Sequence, residues 1–361
     1  MPMWSGSKKE LLDNPDVTSF TNWLADVICG TVAIEYKSAP GACLRTLSEA
    51  RQAYRWPPKR VLVPVPTGPI SLPRGSGLHQ NEAILQSLSA GLRMALNTQP
   101  PNEVELAQWI KAIFVWGGVY TKKGNGAWLN ANYGKLGPYL VRTLKGLASA
   151  QWKADIDKLT DLRSNAGTTK VHSLALDDFI IYDSRVAAAL AWLVVKWACA
   201  TRRDSIPLQL RFGCMRPNTT DRNRRRTPDE RLFPYFAPLA GNLNSQRKHA
   251  FWNLRANWVL HSALTKARQK CEKECEFQSL RDVEVGLFAM GADLSHAIPA
   301  VQGCIERLSS PSKTRASTWR ADELEPVSTD QTTQEDVTRI LDRLMHGDHR
   351  LWNPQKSKIG E

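Results

Sequence analysis

Lys170-Val-His-Ser-Leu-Ala-Leu-Asp-Asp-Phe-Ile-Ile-Tyr-Asp183-Ser-Arg-Val-Ala-Ala-Ala-Leu-Ala-Trp-Leu-Val-Val195 is the stretch on which the fold turns. Its second half, Val186 to Val195, is the longest apolar run in the chain, broken only at Lys196 before Trp197 continues it. Ten apolar residues fall well short of the ~20 that a membrane helix needs. A helix apolar on nearly every face belongs instead in the centre of a core. Asp183 and Ser184 stand just before it, where a side-chain oxygen accepts from the free amides of the first turn. The positive end of the helix dipole also favours negative charge there. The local pattern thus offers two roles for Asp183, a cap and a reagent.

Working outward, the chain reads as helix after helix with few strands. Three- and four-residue apolar spacing predicts helices over Thr21–Tyr36, Ala42–Tyr54, Asn81–Asn97, Glu103–Tyr120, Tyr139–Ala150, Asp155–Arg163 and Ser245–Glu274. Asn81 is the expected cap of its helix. Trp56 to Gly77 is a Pro/Gly-rich connection with one short strand expected at Val61–Val65. This gives a tail over 1–20, an N-terminal helical region over 21–100 and a core over 101–200. An arginine-rich loop over 201–245, C-terminal helices of the core over 246–310 and a polar, acidic tail over 311–361 follow. Leu280–Leu294 supplies an apolar hairpin partner in the penultimate region, and the tail offers one short helix near Val337–Met345. The fold class is mainly α.

Charge narrows the partners. The 361 residues carry 48 Lys+Arg against 35 Asp+Glu, a formal charge of +13. Such a basic surface points first to a polyanion such as nucleic acid. Arg202, Arg203, Arg224, Arg225 and Arg226 belong to a run of nine arginines directly after the apolar helix, and contact with a phosphate backbone is the expectation. Aromatics interleaved with cations at Trp252, Arg255 and Trp258, and at Trp128 and Tyr133, are candidates for stacking on a base, with core packing as the competing fate. The polar loop after Tyr120 lacks Gly-x4-Gly-Lys-Ser/Thr, so it is not a nucleotide P-loop. Seven scattered cysteines do not read as a disulfide framework, Cys271-x3-Cys275 lacks the partners of a zinc site, and no apolar signal stretch opens the sequence. A reducing cytoplasm is the expected location.

Leu159-Thr-Asp-Leu-Arg-Ser-Asn-Ala-Gly-Thr-Thr-Lys170-Val has the layout of a helix, a Gly-containing turn and a second helix, whose amides can meet a phosphate. Gly167-Thr-Thr-Lys170-Val, followed by Ile180-Ile-Tyr-Asp183-Ser-Arg185-Val, resembles the hairpin lysine and downstream aspartate of the helix-hairpin-helix DNA glycosylases. The nearest branch is the bacterial one described as 8-oxoguanine-glycosylase-like, in which an Ile-Tyr-Asp-Ser-Arg-Val element recurs. Asn253-Leu-Arg-Ala-Asn-Trp258 and Arg281-Asp-Val-Glu-Val-Gly-Leu-Phe-Ala-Met-Gly291 agree with it, and the resemblance spans about Glu103 to Leu294. The chain departs from the superfamily in its hairpin, where Ser164-Asn-Ala-Gly-Thr-Thr replaces Leu-Pro-Gly-x-Gly, and it lacks a four-cysteine cluster.

The resemblance implies a two-lobed helical fold and a DNA glycosylase that everts a modified nucleotide and cuts the base–sugar bond. Asp183 then stabilises the positive charge that builds on the sugar. For Lys170 three roles stand open: attack on the sugar, contact with a phosphate, or a surface lysine. Gly167, Thr168, Thr169 and Arg185 are the implied DNA contacts, and His172 is a candidate for the base pocket. No metal or organic cofactor is needed, and the chain is expected to act as a monomer on modified or damaged double-stranded DNA. Its likeness to anti-phage glycosylases, in length and arginine-rich insertion, implies removal of glucosylated hydroxymethylcytosine. Repair of 8-oxoguanine is the alternative. A non-catalytic DNA-binding protein and a basic protein for RNA or acidic partners are the rivals of another class.

Overall fold

The computed structural model describes residues 3–217, 224–271 and 275–310. Among them are thirteen α-helices and two short hairpins. α1 (Lys8–Asp13) and α2 (Pro15–Ile28) share Asn14, which ends the first and caps the second through its side chain. Residues 8–20, expected as a loose tail, are therefore helical, because Leu11, Val17 and Phe20 all enter the core. The hairpin of β1 (Tyr36–Ala39) and β2 (Ala42–Leu44) follows, then α3 (Leu47–Gln52). The helix expected over Ala42–Tyr54 thus splits, since Thr46 caps α3 and ends the extended stretch before it.

β3 (Val61–Val63) pairs with β4 (Ile70–Leu72), and α4 (Leu78–Asn97) comes next. Asn81 is not its cap. It lies inside the helix, donates to the carbonyls of Trp56, Ser76 and Gly77, and accepts from Trp116 Nε1. α5 (Glu103–Trp116), α6 (Asn125–Ala131), α7 (Leu136–Ser149), α8 (Lys153–Asp157) and α9 (Thr168–Ala175) lead to α10 (Ser184–Ala200). The remainder is α11 (Leu243–Lys270), α12 (Leu280–Met290) and α13 (Gln302–Ser309). The helix expected near Val337–Met345 lies outside the described residues.

The apolar residues gather into two hydrophobic cores. One is built on α2, α10, α11 and α12, the other on α4, α5, α7 and the β3–β4 hairpin. α10 runs through the first with every residue from Val186 to Val195 fully buried. Burial of each large aliphatic side chain there stabilises by roughly 1.5–3 kcal/mol, which is why this sequence stays helical despite its β-branched residues. The extended segment before α10 joins the two cores. Ile180 and Tyr182 point into the first and Ile181 into the second, the two-residue alternation of an extended chain.

That segment has no strand partner among the described residues, yet two of its amides are met by side chains. Asn257 Oδ1 on α11 accepts from Ile180 N (2.8 Å), and Glu284 Oε2 on α12 accepts from Ile181 N (2.7 Å). Buried amides demand such partners, so two side chains from distant helices fix where the segment ends. It ends at Asp183.

Four of the seven cysteines are paired, Cys29 with Cys271 and Cys199 with Cys304, at Cα separations of 5.7 and 5.8 Å. The expectation of an unpaired set is corrected here. The partners lie 242 and 105 residues apart, so only the folded chain reveals them. The cysteine argument for a reducing compartment falls with it. No helix among the described residues is long and apolar enough to cross a membrane.

Candidate functional site

Asp183 is the N-cap of α10, and its Oδ1 accepts from Arg185 N (2.9 Å) and Val186 N (3.2 Å). This leaves Oδ2 for other work, and it faces Lys170 Nζ at 3.7 Å. Lys170 is 4% exposed, so neither a surface lysine nor a phosphate contact describes it. Its Nζ also donates to Ala166 O (2.7 Å) within its own helical turn. Its aliphatic stem lies on Gly117, the C-cap of α5, where a Cβ would stand 2.5 Å from Lys170 Cδ. A glycine at this position is what lets the lysine reach the cavity. Burial lowers the Lys170 pKa, and Asp183 offsets this only in part. A buried lysine so perturbed becomes a usable amine nucleophile.

The pair stands on the wall of a cavity of about 170 Å3. Tyr54, Trp56, Trp116 and Phe288 give it aromatic sides, and Arg185, Arg226, Arg281 and Glu284 add charge. An apolar cavity of ~150 Å3 takes one benzene, so there is room here for a single ring, with anything larger extending through an opening. Arg185 lies over Phe288 (4.3 Å to the centroid) and Trp56 (5.3 Å), within the cavity wall. Gly291 closes the far end of α12 against the start of α10. A Cβ there would meet Arg185 O at 1.8 Å, so no side chain fits.

Glu284 was not singled out from sequence. It is 4% exposed, its Oε2 accepts from Ile181 N and from Arg281 Nη1 (2.5 Å), and burial raises its pKa. A signal was present. Leu280, Val283, Glu284 and Leu287 share the buried face of α12, where spacing calls for an apolar residue.

Several expected contacts lie elsewhere. Gly167, Thr168 and Thr169 are buried, and the amides of Gly167 and Thr168 already donate to Asn165 Oδ1 (2.8 and 3.1 Å). The turn therefore serves its own structure and leaves these amides no phosphate to meet. His172 is 2% exposed, does not line the cavity, and burial holds its pKa down to about 4. Trp252, Arg255 and Trp258 likewise form no base pocket. Trp258 is in the first core and Trp252 packs against it. Arg255 is fully buried, donates to the carbonyls of Leu208 (3.1 Å) and Gln209, and stands between the rings of Phe212 and Trp4. The helical spacing of α11 buries these aromatics on a core face.

The arginine-rich loop divides in the same way. Arg202, Arg224 and Arg225 are exposed. Arg203 pairs with Asp16 (2.6 Å) and stacks on Trp197. Arg226 is 4% exposed and donates to the carbonyls of Gly291 and Ala292, and burial pushes its pKa down to about 10. It braces the end of α12 and is no phosphate contact. Among the described residues no group of three or more His, Cys, Asp or Glu is placed to hold a metal ion.

Compared with protein-family models, curated proteins and solved structures, the chain matches none.

Proposed function

We propose that the protein is a helix-hairpin-helix DNA glycosylase in which Asp183 serves cleavage of the base–sugar bond of an everted nucleotide. The observation that carries this reading is the buried Lys170–Asp183 pair (3.7 Å) on the wall of a ring-sized aromatic cavity. As the C1′–N bond breaks, its electron pair leaves with the base and positive charge grows on the sugar. Asp183 Oδ2 is fixed there by the cap bonds on Oδ1, and a preorganised carboxylate stabilises that charge without reorganising. Water then adds its oxygen to C1′, and its proton neutralises the departing base. The Lys170 amine can add instead, which leads to an imine and makes the enzyme a lyase as well. Exposed Arg202, Arg224 and Arg225 suit contact with the DNA backbone.

A cavity of about 170 Å3 favours a single-ring base over a bicyclic purine, hence glucosylated hydroxymethylcytosine over 8-oxoguanine. A cleft of about 600 Å3 adjoins it, sharing Tyr54, Leu85, Arg281 and Val285, and is lined by polar groups such as Gln86, Ser89, Arg93 and Asp177. A sugar attached to the ring fits that space, and antiviral defence is the corresponding role. The test is mass spectrometry of the bases released from glucosylated-hydroxymethylcytosine DNA and from oxidised DNA, by wild type and Asp183→Asn. Release by wild type alone is the expected result. Equal release by both proteins, or salt-dependent DNA binding with no release at all, refutes it. The second outcome would leave a DNA-binding protein without catalysis.

A further inference from the structure

Tyr54 follows Ala53, the C-cap of α3, and Arg51 ties that helix to α12 through Asp282 (2.7 Å). Its ring rests against Phe288 (centroids 5.5 Å apart) and only 5% of the residue is exposed. Buried phenols normally find a hydrogen-bond partner. The Tyr54 hydroxyl has none among the described residues, although Glu284, Arg281, Arg185 and Asp183 all act on it electrostatically. Tyr54 also borders both the ring-sized cavity and the adjoining cleft. A phenol donor with no protein partner, on the walls of both compartments where they meet, has the features of a recognition group.

We infer that the Tyr54 hydroxyl donates a hydrogen bond to an oxygen on the substituent of the everted base, where that substituent passes from the cavity into the cleft. This rests on the glycosylase reading for the nature of the ligand. It makes Tyr54 a specificity-determining residue, selecting ring bases that carry an oxygenated group over bases that carry a bare alkyl group. The phenol stays protonated throughout the working range, because burial raises its pKa, so it remains a donor.

The probes are duplexes that contain one 5-hydroxymethylcytosine or one 5-methylcytosine, which differ by the single oxygen at issue. Binding is measured in the Asp183→Asn protein, to prevent turnover, with Tyr54 intact or changed to Phe. Tyr54→Phe keeps the ring against Phe288 and removes a hydroxyl that bonds to nothing in the protein, so its urea midpoint should equal that of the parent. With Tyr54 intact, the hydroxymethyl duplex should bind about 10-fold tighter than the methyl one, the usual value of one buried hydrogen bond. In Tyr54→Phe that preference should vanish while affinity for the methyl duplex is unchanged. No preference with Tyr54 intact, a preference that survives Tyr54→Phe, or an equal loss for both duplexes overturns the inference. If the preference behaves as expected but wild type releases no base from any modified duplex, the contact stands and the glycosylase reading fails.

Discussion

Asp183 caps a helix and faces a lysine, and the two roles separate by substitution and pH. Asn at position 183 keeps an oxygen that can accept from Arg185 N and Val186 N, whereas Ala removes it. Asn and Asp are near-equal caps, and loss of a cap costs ~1 kcal/mol. Both substitutions remove the charge opposite Lys170. At 3.7 Å and an effective dielectric of ~20 that attraction is worth roughly 4 kcal/mol at most, since the lysine can instead release its proton. The pH sign follows from Lys170, whose folded pKa is already below the ordinary lysine value through burial and is supported by Asp183. Removing Asp183 lowers it further. The lost pairing therefore weighs on stability at pH below the wild-type Lys170 pKa and disappears as pH rises through it. In urea unfolding at pH 10 the deficit of Asp183→Asn against wild type should be smaller than at pH 6, with Asp183→Ala a further ~1 kcal/mol lower. At pH 6 both should lose more, up to a further ~4 kcal/mol. Base release should be absent from both variants at both pH values. The informative protein is Asp183→Asn at pH 10, folded and capped but inactive. Wild-type base release there refutes the reagent role, and equal stability of Asn and Ala at pH 10 refutes the cap.

Three other outcomes follow from the same geometry. Borohydride should trap a covalent DNA adduct through Lys170, absent in Lys170→Ala. The trapping rate should climb with pH and level off below the ~10.4 of a free lysine, because burial lowers this amine; a rate still rising at pH 10.5 refutes the buried nucleophile. Arg225→Ala should reduce the slope of log affinity against log salt by about 0.9, one phosphate contact, and leave the urea midpoint unchanged. Arg226→Met should do the reverse, because it removes the donors to the Gly291 and Ala292 carbonyls. Thiol titration of the unfolded, unreduced chain should count three thiols, Cys43, Cys214 and Cys275, rising to seven after reduction. Seven before reduction would show that the pairs do not form.

The apolar run and the cap before it are local patterns, and they made α10 and Asp183 legible because a helix of that composition has one stable environment. The same locality left three roles open for Lys170. A lysine at a helix start looks solvent-facing, and its burial depends on Gly117, 53 positions earlier, lying bare beneath it. Trp252, Arg255 and Trp258 failed for the opposite reason. Their mixture of aromatic and cationic groups looked like a binding face, but α11 is buried on several sides and carbonyls near Leu208 hold the guanidinium. Two residues that the local pattern does not single out share one feature, a polar group at an apolar helix position. Asn257 and Glu284 each occupy a buried helix face, and each accepts from one amide of Ile180–Ile181. Reading them as interruptions of a core would miss that an extended segment between two cores has no strand to bond with. The polar residues supply what a sheet would have supplied. Glu284→Gln therefore tests positioning: Gln can still accept from Ile181 N but cannot form the ion pair with Arg281. Base release should fall while Asp183 keeps its cap and the variant folds, and a Glu284→Leu protein, with the amide unpaired, should lose ~1–3 kcal/mol in urea unfolding. If Leu is as stable as Glu, the amide of Ile181 is held by something else, and the account of how Asp183 is placed is wrong.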